Sequence, residues 1–388
     1  MRTVLITGAT GAIGSVLTKC LLEEPHTRVR LLLRAESRSH LEQRLRELFV
    51  FWQIDPEDGD VRARVDASPG DVTEPLLGLD RSTYQRLTTE VTHVVHSAGN
   101  VKLNRSIADA RRSAVDAAAQ VVTFVDACRA SGQFHKLEFV STVGVAGRMP
   151  GIVPERPFSE ARTFRNSYEA AKAEAEGFVL RHVGNGLPAT VHRPSMVVGD
   201  SRTGRIIQFQ VFYYLCEFLS GRRTLGVVPS SHGVRLDIIP VDYVARAIQL
   251  SSLNADAAGR VFHLCGGPSQ APTIEELAKR VREFFAAHGR PVPALRHVPP
   301  TLLRSVLPLA SRFVPARTRR SLQSLPYFLA YLDSAAQTFG NADSQQYFSA
   351  LGLHPPVVGS YLGPVLSYYL SSRKSGSAAG DSHVRGAA

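Results

Sequence analysis

Cysteine is scarce and scattered. Cys20, Cys128, Cys216 and Cys265 are the four in the chain, and no two form a C-x-x-C pair. This argues against a disulfide framework or a zinc site. It leaves four small reduced thiols as the plainer reading, and no metal is expected. Long apolar runs are missing too, since no window reaches the roughly 18 uninterrupted apolar residues of a membrane span. The N-terminus lacks the basic-then-apolar layout of a signal peptide and enters a strand-like "RTVLITG" at once. The expectation is a soluble, cytoplasmic protein. Acidic residues are in deficit, 34 against 45 basic, for a formal charge of +11. Such a balance favours anionic partners: phosphates, an acidic carrier protein or a lipid surface. Arginines spread over a solvated surface explain it equally. No basic stripe is interleaved with aromatics, so nucleic acid is not an expected partner.

What the chain does have is size and alternation. Its 388 residues, 44% of them hydrophobic, suffice for a large core and for two domains, or one domain with a lobe. Strand-like runs occupy 3–7, 28–34, 63–71, 92–99, 136–142 and 188–195, and amphipathic segments at 14–23, 39–52, 106–131 and 168–183 fall between most of them. Strands alternating with helices predict an α/β protein, a doubly wound parallel sheet covered on both faces. After about residue 200 the pattern loosens. There is an apolar, aromatic run at 206–219, a strand-like "RLDIIPV" (235–241), a helix at 241–252 and a strand-like "RVFHLCG" (260–266). A helix at 273–289 follows, with Thr273 as N-cap and Gly289 as a stop. The small, polar stretch 371–388 is expected to be a disordered tail.

The first strand leads straight into "TGATGAIG" (7–14) and then a helix. Gly8 permits the tight turn, Gly11 lets the backbone approach a pyrophosphate, and Gly14 lets helix and strand pack closely. The helix N-terminus then offers free N–H groups to the phosphates. The second strand ends in Arg34, where an NAD site usually carries an acid; a guanidinium there suits the 2′-phosphate of NADP. Arg44, ten residues on, is placed to reach the same phosphate. Glu36 competes as a ribose ligand.

"SYEAAK" (167–172) sets Tyr168 and Lys172 four apart on a helical face. The spacing alone fits a surface pair as well as a proton-handling centre. Its neighbours decide. "GDVT" (70–73), "HSAGNV" (96–101) and "FVSTVGVAG" (139–147) end the third, fourth and fifth strands, Tyr168 follows Thr142 by 26 residues, and "HRPSMVVGDSRTG" (192–204) follows. In this ordered series the chain resembles the extended short-chain dehydrogenase/reductases. That resemblance implies a Rossmann-type sheet with a smaller, mostly helical C-terminal substrate lobe. It divides the chain into an NADP-binding domain at 1–270, with a lobe segment at about 203–235, and a lobe at 271–370.

The resemblance also implies roles. Gly8, Thr10, Gly11, Ala12, Ile13 and Gly14 would hold the pyrophosphate, and Asp71 and Val72 would sit beside the adenine. Ser97, Ala98, Gly99, Ser141, Pro194 and Ser195 would line the cofactor. Tyr168 would be the acid-base, with Lys172 lowering its pKa and holding the ribose hydroxyls. Thr142 would orient the substrate oxygen, with Ser141 nearer the cofactor.

The insert 36–62 with "LRELFVFWQID", then "PGDVTEPLLGL" (69–79) and "LDIIPVDYVARAI" (236–248), resemble the thioester reductase and fatty acyl-CoA reductase branch. "AYLDSAAQTFGNADSQQ" (330–346) and "LGLHPP" (351–356) are similar to it more loosely. That branch implies NADPH-dependent reduction of an acyl thioester, carried by CoA or an acyl carrier protein, to aldehyde or alcohol. The run 206–219 reads as an acyl-channel wall or as ordinary core. "SGRRT" (220–224) and "ARTRR" (316–320) read as phosphate grips or as solvated surface, and 302–320 as a buried lobe helix or a peripheral membrane contact. Two rival readings share the same centre: an extended reductase of a hydroxysteroid, ketone or nucleotide sugar, and an NADP-binding regulator without turnover.

Overall fold

The computed structural model describes residues 1–222, 224–299, 331 and 337–378. Seven strands form its central sheet: β1 (Arg2–Thr7), β2 (Thr27–Leu33), β3 (Val65–Pro69), β4 (His93–His96), β5 (Lys136–Val140), β6 (Ala189–Pro194) and β7 (Val261–Leu264). Their order is β7-β6-β5-β4-β1-β2-β3, and every pairing is parallel. The order reverses direction beside β1, and in such sheets the crevice at that switch point is where dinucleotides bind.

Side-chain alternation along each strand assigns the faces. Val4 and Ile6 of β1 join one core with α1 (Ala12–Leu22), α2 (Arg38–Trp52) and α7 (Val241–Leu253). Leu5 joins the opposite core with α3 (Arg81–Glu90), α4 (Ala117–Ala130) and α5 (Ser167–Gly184). Trp52, fully buried, donates Nε1–H to the Ser15 carbonyl at 2.7 Å and so ties the insert helix α2 to α1. A third core forms the lobe. It packs α6 (Val211–Leu219), α8 (Ile274–Ala287) and α10 (Val358–Ala378) around Ile238 and Val198. α8 opens on the Thr273–Glu276 capping box.

The helix expected at 106–131 runs from Ile107 to Ala130, widened into a π turn at Arg112–Asp116 before α4. Three expectations are adjusted. "RLDIIPV" contributes Ile238–Pro240, which pairs with Met196–Val198 outside the main sheet. α9 (Ala342–Ala350), within the stretch assigned to the lobe, sends Phe348 into the first core against Phe262, ring centroids 4.9 Å apart. α10 runs through Ala378, into the expected tail, and 379–388 lie outside the described residues. The segments 302–320 and 316–320 also lie outside them. Among the described residues, no helix is long and apolar enough to cross a membrane.

Candidate active site

The turn from β1 into α1 is built on contacts that only glycine permits. Gly8 adopts φ +77°, and a Cβ there would lie 2.6 Å from the Ala98 nitrogen. A Cβ on Gly14 would lie 2.2 Å from the Gly8 carbonyl oxygen and 2.9 Å from Ser97 Oγ. Ser97 donates its hydroxyl to the Thr7 carbonyl at 2.8 Å, so β1, β4 and the start of α1 are locked together. Ala12 and Ile13 turn their side chains into the cores and present only backbone to the loop. Gly11 is the N-cap of α1 and supplies no side-chain cap, so the first N–H groups of the helix await an anion. At Gly99 a Cβ would meet nothing within 4 Å. An uncapped helix start beside open space fits a dinucleotide pyrophosphate.

Two guanidiniums stand at the end of β2. Arg44 donates Nη2 to Thr10 Oγ1 at 2.8 Å and Nη1 to the Arg34 carbonyl at 2.6 Å. Burial lowers the pKa of Arg44, and the charge of Arg34 lowers it further. Two mutually repelling cations fit a dianionic phosphate. Glu36 is exposed, and its amide nitrogen faces His40 Nδ1 at 3.4 Å. Asp71 accepts from the Thr73 N–H and hydroxyl, both at 2.9 Å, and its own N–H binds the Leu77 carbonyl at 2.8 Å. Val72 packs against the α3–α4–α5 core.

Tyr168, Lys172 and Thr142 converge where β5 ends and α5 begins. Lys172 Nζ donates to the Val140 carbonyl at 2.8 Å and lies 5.0 Å from the Phe139 ring centroid. Burial lowers its pKa to about 8, and the Glu176 charge opposes that fall. Tyr168 is pushed up to about 12 by burial, while a hydrogen bond with the Thr142 hydroxyl pulls the other way and Glu169 adds to the rise. Desolvation of the phenol thus outweighs what lowers it, and the Lys172 ammonium is tied to the Val140 carbonyl. Thr142 also accepts from the Gly144 N–H at 3.1 Å. Ser141, expected beside the cofactor, is buried, and its hydroxyl donates to Glu176 at 2.6 Å. Pro194 and Ser195, at the end of β6, are buried as well, and Ser195 N–H binds the Leu264 carbonyl at 3.1 Å.

The sequence reading passed over the residues that hold this centre in place. Asn166 N-caps α5 by accepting from the Glu169 N–H at 2.9 Å, and its Nδ2 donates to the Tyr331 hydroxyl at 3.0 Å. Arg165 donates to the Gly147 carbonyl at 2.6 Å and to Gln337 Oε1 at 2.8 Å. Gln337 returns bonds to the carbonyls of Gly147 and Met149, and its strand, Gln337–Phe339, pairs in parallel with Gly151–Val153. Asparagine three residues ahead of Glu169 was a legible cap signal. Behind Lys172, Glu176 is clasped by Arg193 at 3.0 and 2.6 Å. Its place eight residues past Tyr168, on the same helical face, was legible too.

The aromatic run resolves in favour of core. Phe212 and Tyr213 are both 0% exposed, and Tyr213 packs on Phe209 and Tyr369 while its hydroxyl accepts from the Gly199 N–H at 3.0 Å. Among the described residues, both rings are enclosed by core neighbours. In "SGRRT", Arg222 pairs with Glu217 at 3.6 Å. A cavity of about 570 Å³ opens at the sheet edge between Glu155, Arg260, Phe262 and Tyr347, and none of the residues of the catalytic centre lines it.

Comparison with known proteins follows this geometry. A family model described as "Male sterility protein" matches residues 6–248. An isonitrile lipopeptide synthase of Streptomyces coeruleorubidus is 32% identical over 253 residues, covering 64% of this chain and 16% of the relative. The large subunit of L-2-aminoadipate reductase from Penicillium chrysogenum is 28% identical, covering 76% of this chain and 21% of the relative. The chain thus spans a minor part of the curated relatives it matches. Among solved structures, the terminal R domain of the myxalamid PKS-NRPS pathway superposes with a TM-score of 0.78 at 26% identity, covering 96% of this chain and 91% of that one.

Proposed function

The chain belongs to the male sterility NAD-binding family of extended short-chain dehydrogenase/reductases, an NAD(P)-dependent oxidoreductase type, and from that premise we propose that it reduces a carrier-tethered acyl or aminoacyl thioester with NADPH. The observation that carries the reading is the grouping of Tyr168, Thr142 and a buried Lys172 at the strand edge that also carries the glycine turn. Similarity to a terminal R domain of a synthetase pathway supports the thioester as substrate and the carrier protein as its donor. The Arg34–Arg44 pair supports NADPH over NADH.

When bound, the reduced nicotinamide supplies a hydride to the thioester carbonyl carbon. Tyr168, protonated at neutral pH, donates its phenolic proton to the carbonyl oxygen as charge develops there. Thr142, fixed by the Gly144 N–H, orients the same oxygen. Lys172 holds the ribose hydroxyls and keeps a positive charge beneath the tyrosine. The resulting hemithioacetal breaks its C–S bond, giving an aldehyde and the carrier thiol.

A fatty acyl group is the finer form of the proposal. It rests on motif wording alone, because α6 is core. The test is NADPH oxidation against carrier-bound and CoA thioesters, both acyl and aminoacyl, with products identified. Aldehyde or alcohol from carrier-bound thioesters is expected. Turnover of a ketone or nucleotide sugar, with none on any thioester, overturns the reading.

A further inference from the structure

Tyr168, Lys172 and Glu176 stand at successive turns of one face of α5, and the third of them has no part in the chemistry above. Resting on that cofactor assignment, we infer that Glu176 is a positioning residue whose carboxylate keeps Lys172 protonated, and that Ser141 and Arg193 exist to hold it there.

The surroundings of both groups support this. Lys172 is buried, and its ammonium donates to a neutral carbonyl, that of Val140. From β5 it faces the Phe139 ring. From β4 it faces His96, a buried imidazole whose pKa falls to about 3 through burial and then the lysine's own charge. From its own helix come Tyr168, neutral at physiological pH, and Glu176. Among the described residues, Glu176 is the anion that acts on the ammonium, against a burial that has brought the lysine down to about 8.

Glu176 is itself built in. Ser141 Oγ donates to Oε2 at 2.6 Å, and Arg193 from β6 grips both oxygens. Arg193 Nη1 in turn meets Nε2 of His263 from β7 at 3.2 Å, and the Arg193 guanidinium lies 4.3 Å from the Phe158 ring centroid. His263 stays neutral, lowered to about 3 by burial and then by Arg193. Arg162, in the loop before α5, adds a second positive charge near the carboxylate. This set of donors fixes the Glu176 carboxylate one turn beyond Lys172. The sign follows. An ammonium buried at a pKa near 8 is lost as pH rises through that value, and removing the nearby anion makes it easier to lose.

The test is NADPH binding as a function of pH, followed by cofactor fluorescence, which needs no substrate. Wild-type affinity is expected to fall through a midpoint near 8 as Lys172 loses its proton. In Glu176→Gln the midpoint moves down by about one pH unit, with affinity at low pH within about twofold of wild type. Glu176→Asp, which keeps the charge, retains a midpoint near that of wild type. The double variant Glu176→Gln, Arg193→Gln removes both members of the buried ion pair, and it should shift in the same direction even where the single variant folds poorly. A uniform loss of affinity with an unmoved midpoint in the Gln variants overturns the inference. So does an equal shift in Glu176→Asp, or a wild-type affinity flat from about pH 6 to about pH 9. A wild type that binds NADPH with this profile yet reduces no thioester leaves the inference standing and sinks the substrate reading instead.

Discussion

Burial acts on Tyr168 and Lys172 in opposite senses, raising the phenol to about 12 and lowering the ammonium to about 8, so both hold their protons at neutral pH. That is the state a reduction needs, because the tyrosine must give a proton to an oxygen gaining charge. Tyr168→Phe keeps the ring packing and removes the proton. Turnover is expected to fall by about 10²- to 10⁴-fold. NADPH affinity, read by fluorescence, should stay near wild type, and near-normal turnover would remove Tyr168 from the mechanism. At the cofactor's other end, Arg34→Ala should weaken NADPH by about tenfold while leaving NADH unchanged, as the loss of one charge-assisted phosphate contact implies. Competitive binding of the two cofactors decides it, and equal losses argue against a 2′-phosphate site. Thr142, Tyr168 and Lys172 were legible because motif spacing carries them. The hydroxyl of Ser141 was not, because its partner Glu176 lies 35 positions away and only packing brings them together.

At the scale of elements, the β1–α1 turn is the least forgiving piece. Gly14→Ala would press a methyl against the Gly8 carbonyl, a backbone atom that cannot step aside. A stability loss of about 1–3 kcal/mol is expected from such overpacking, together with lost cofactor binding. Gly59→Ala, whose added Cβ meets nothing within 4 Å, is the control that should leave the denaturation midpoint unchanged. Apolar runs located strands such as β1 and β2, because strands buried on both faces are nearly continuous in Val, Ile and Leu, whereas β3, reading VDASP, was placed by its position in the alternation. The same composition left α6 open between channel wall and core. A helix rich in Phe and Tyr has one signature whether it lines a channel or fills a core, and Tyr213 was settled by Phe209, Tyr369 and Gly199. Three-residue strands such as Gln337–Phe339 carry too little pattern to be read at all.

For the whole molecule, the formal charge of +11 would bear on how the proposed carrier-tethered substrate arrives. An acidic carrier domain would be drawn to such a surface across about 8–10 Å at moderate salt, and the attraction shortens as salt rises. KM for a carrier-bound thioester should therefore climb with ionic strength, while KM for the same acyl group on a small neutral thiol stays level. Parallel salt curves would leave the charge without a role in docking.

The bond from Arg165 to Gln337 spans 172 positions, and Gln337 sits in the strand that anchors the loop leading into Tyr168. During synthesis at about 5–20 residues per second, the catalytic helix leaves the ribosome roughly 10 to 30 s before that anchor does. Within that interval the strands through β7 are made, yet nothing of the strand at Gln337–Phe339 that steadies the loop before the tyrosine. Translation thus supplies the glycine turn early and this anchor late, and Gln337→Ala in the full chain is expected to lower NADPH oxidation more than NADPH binding.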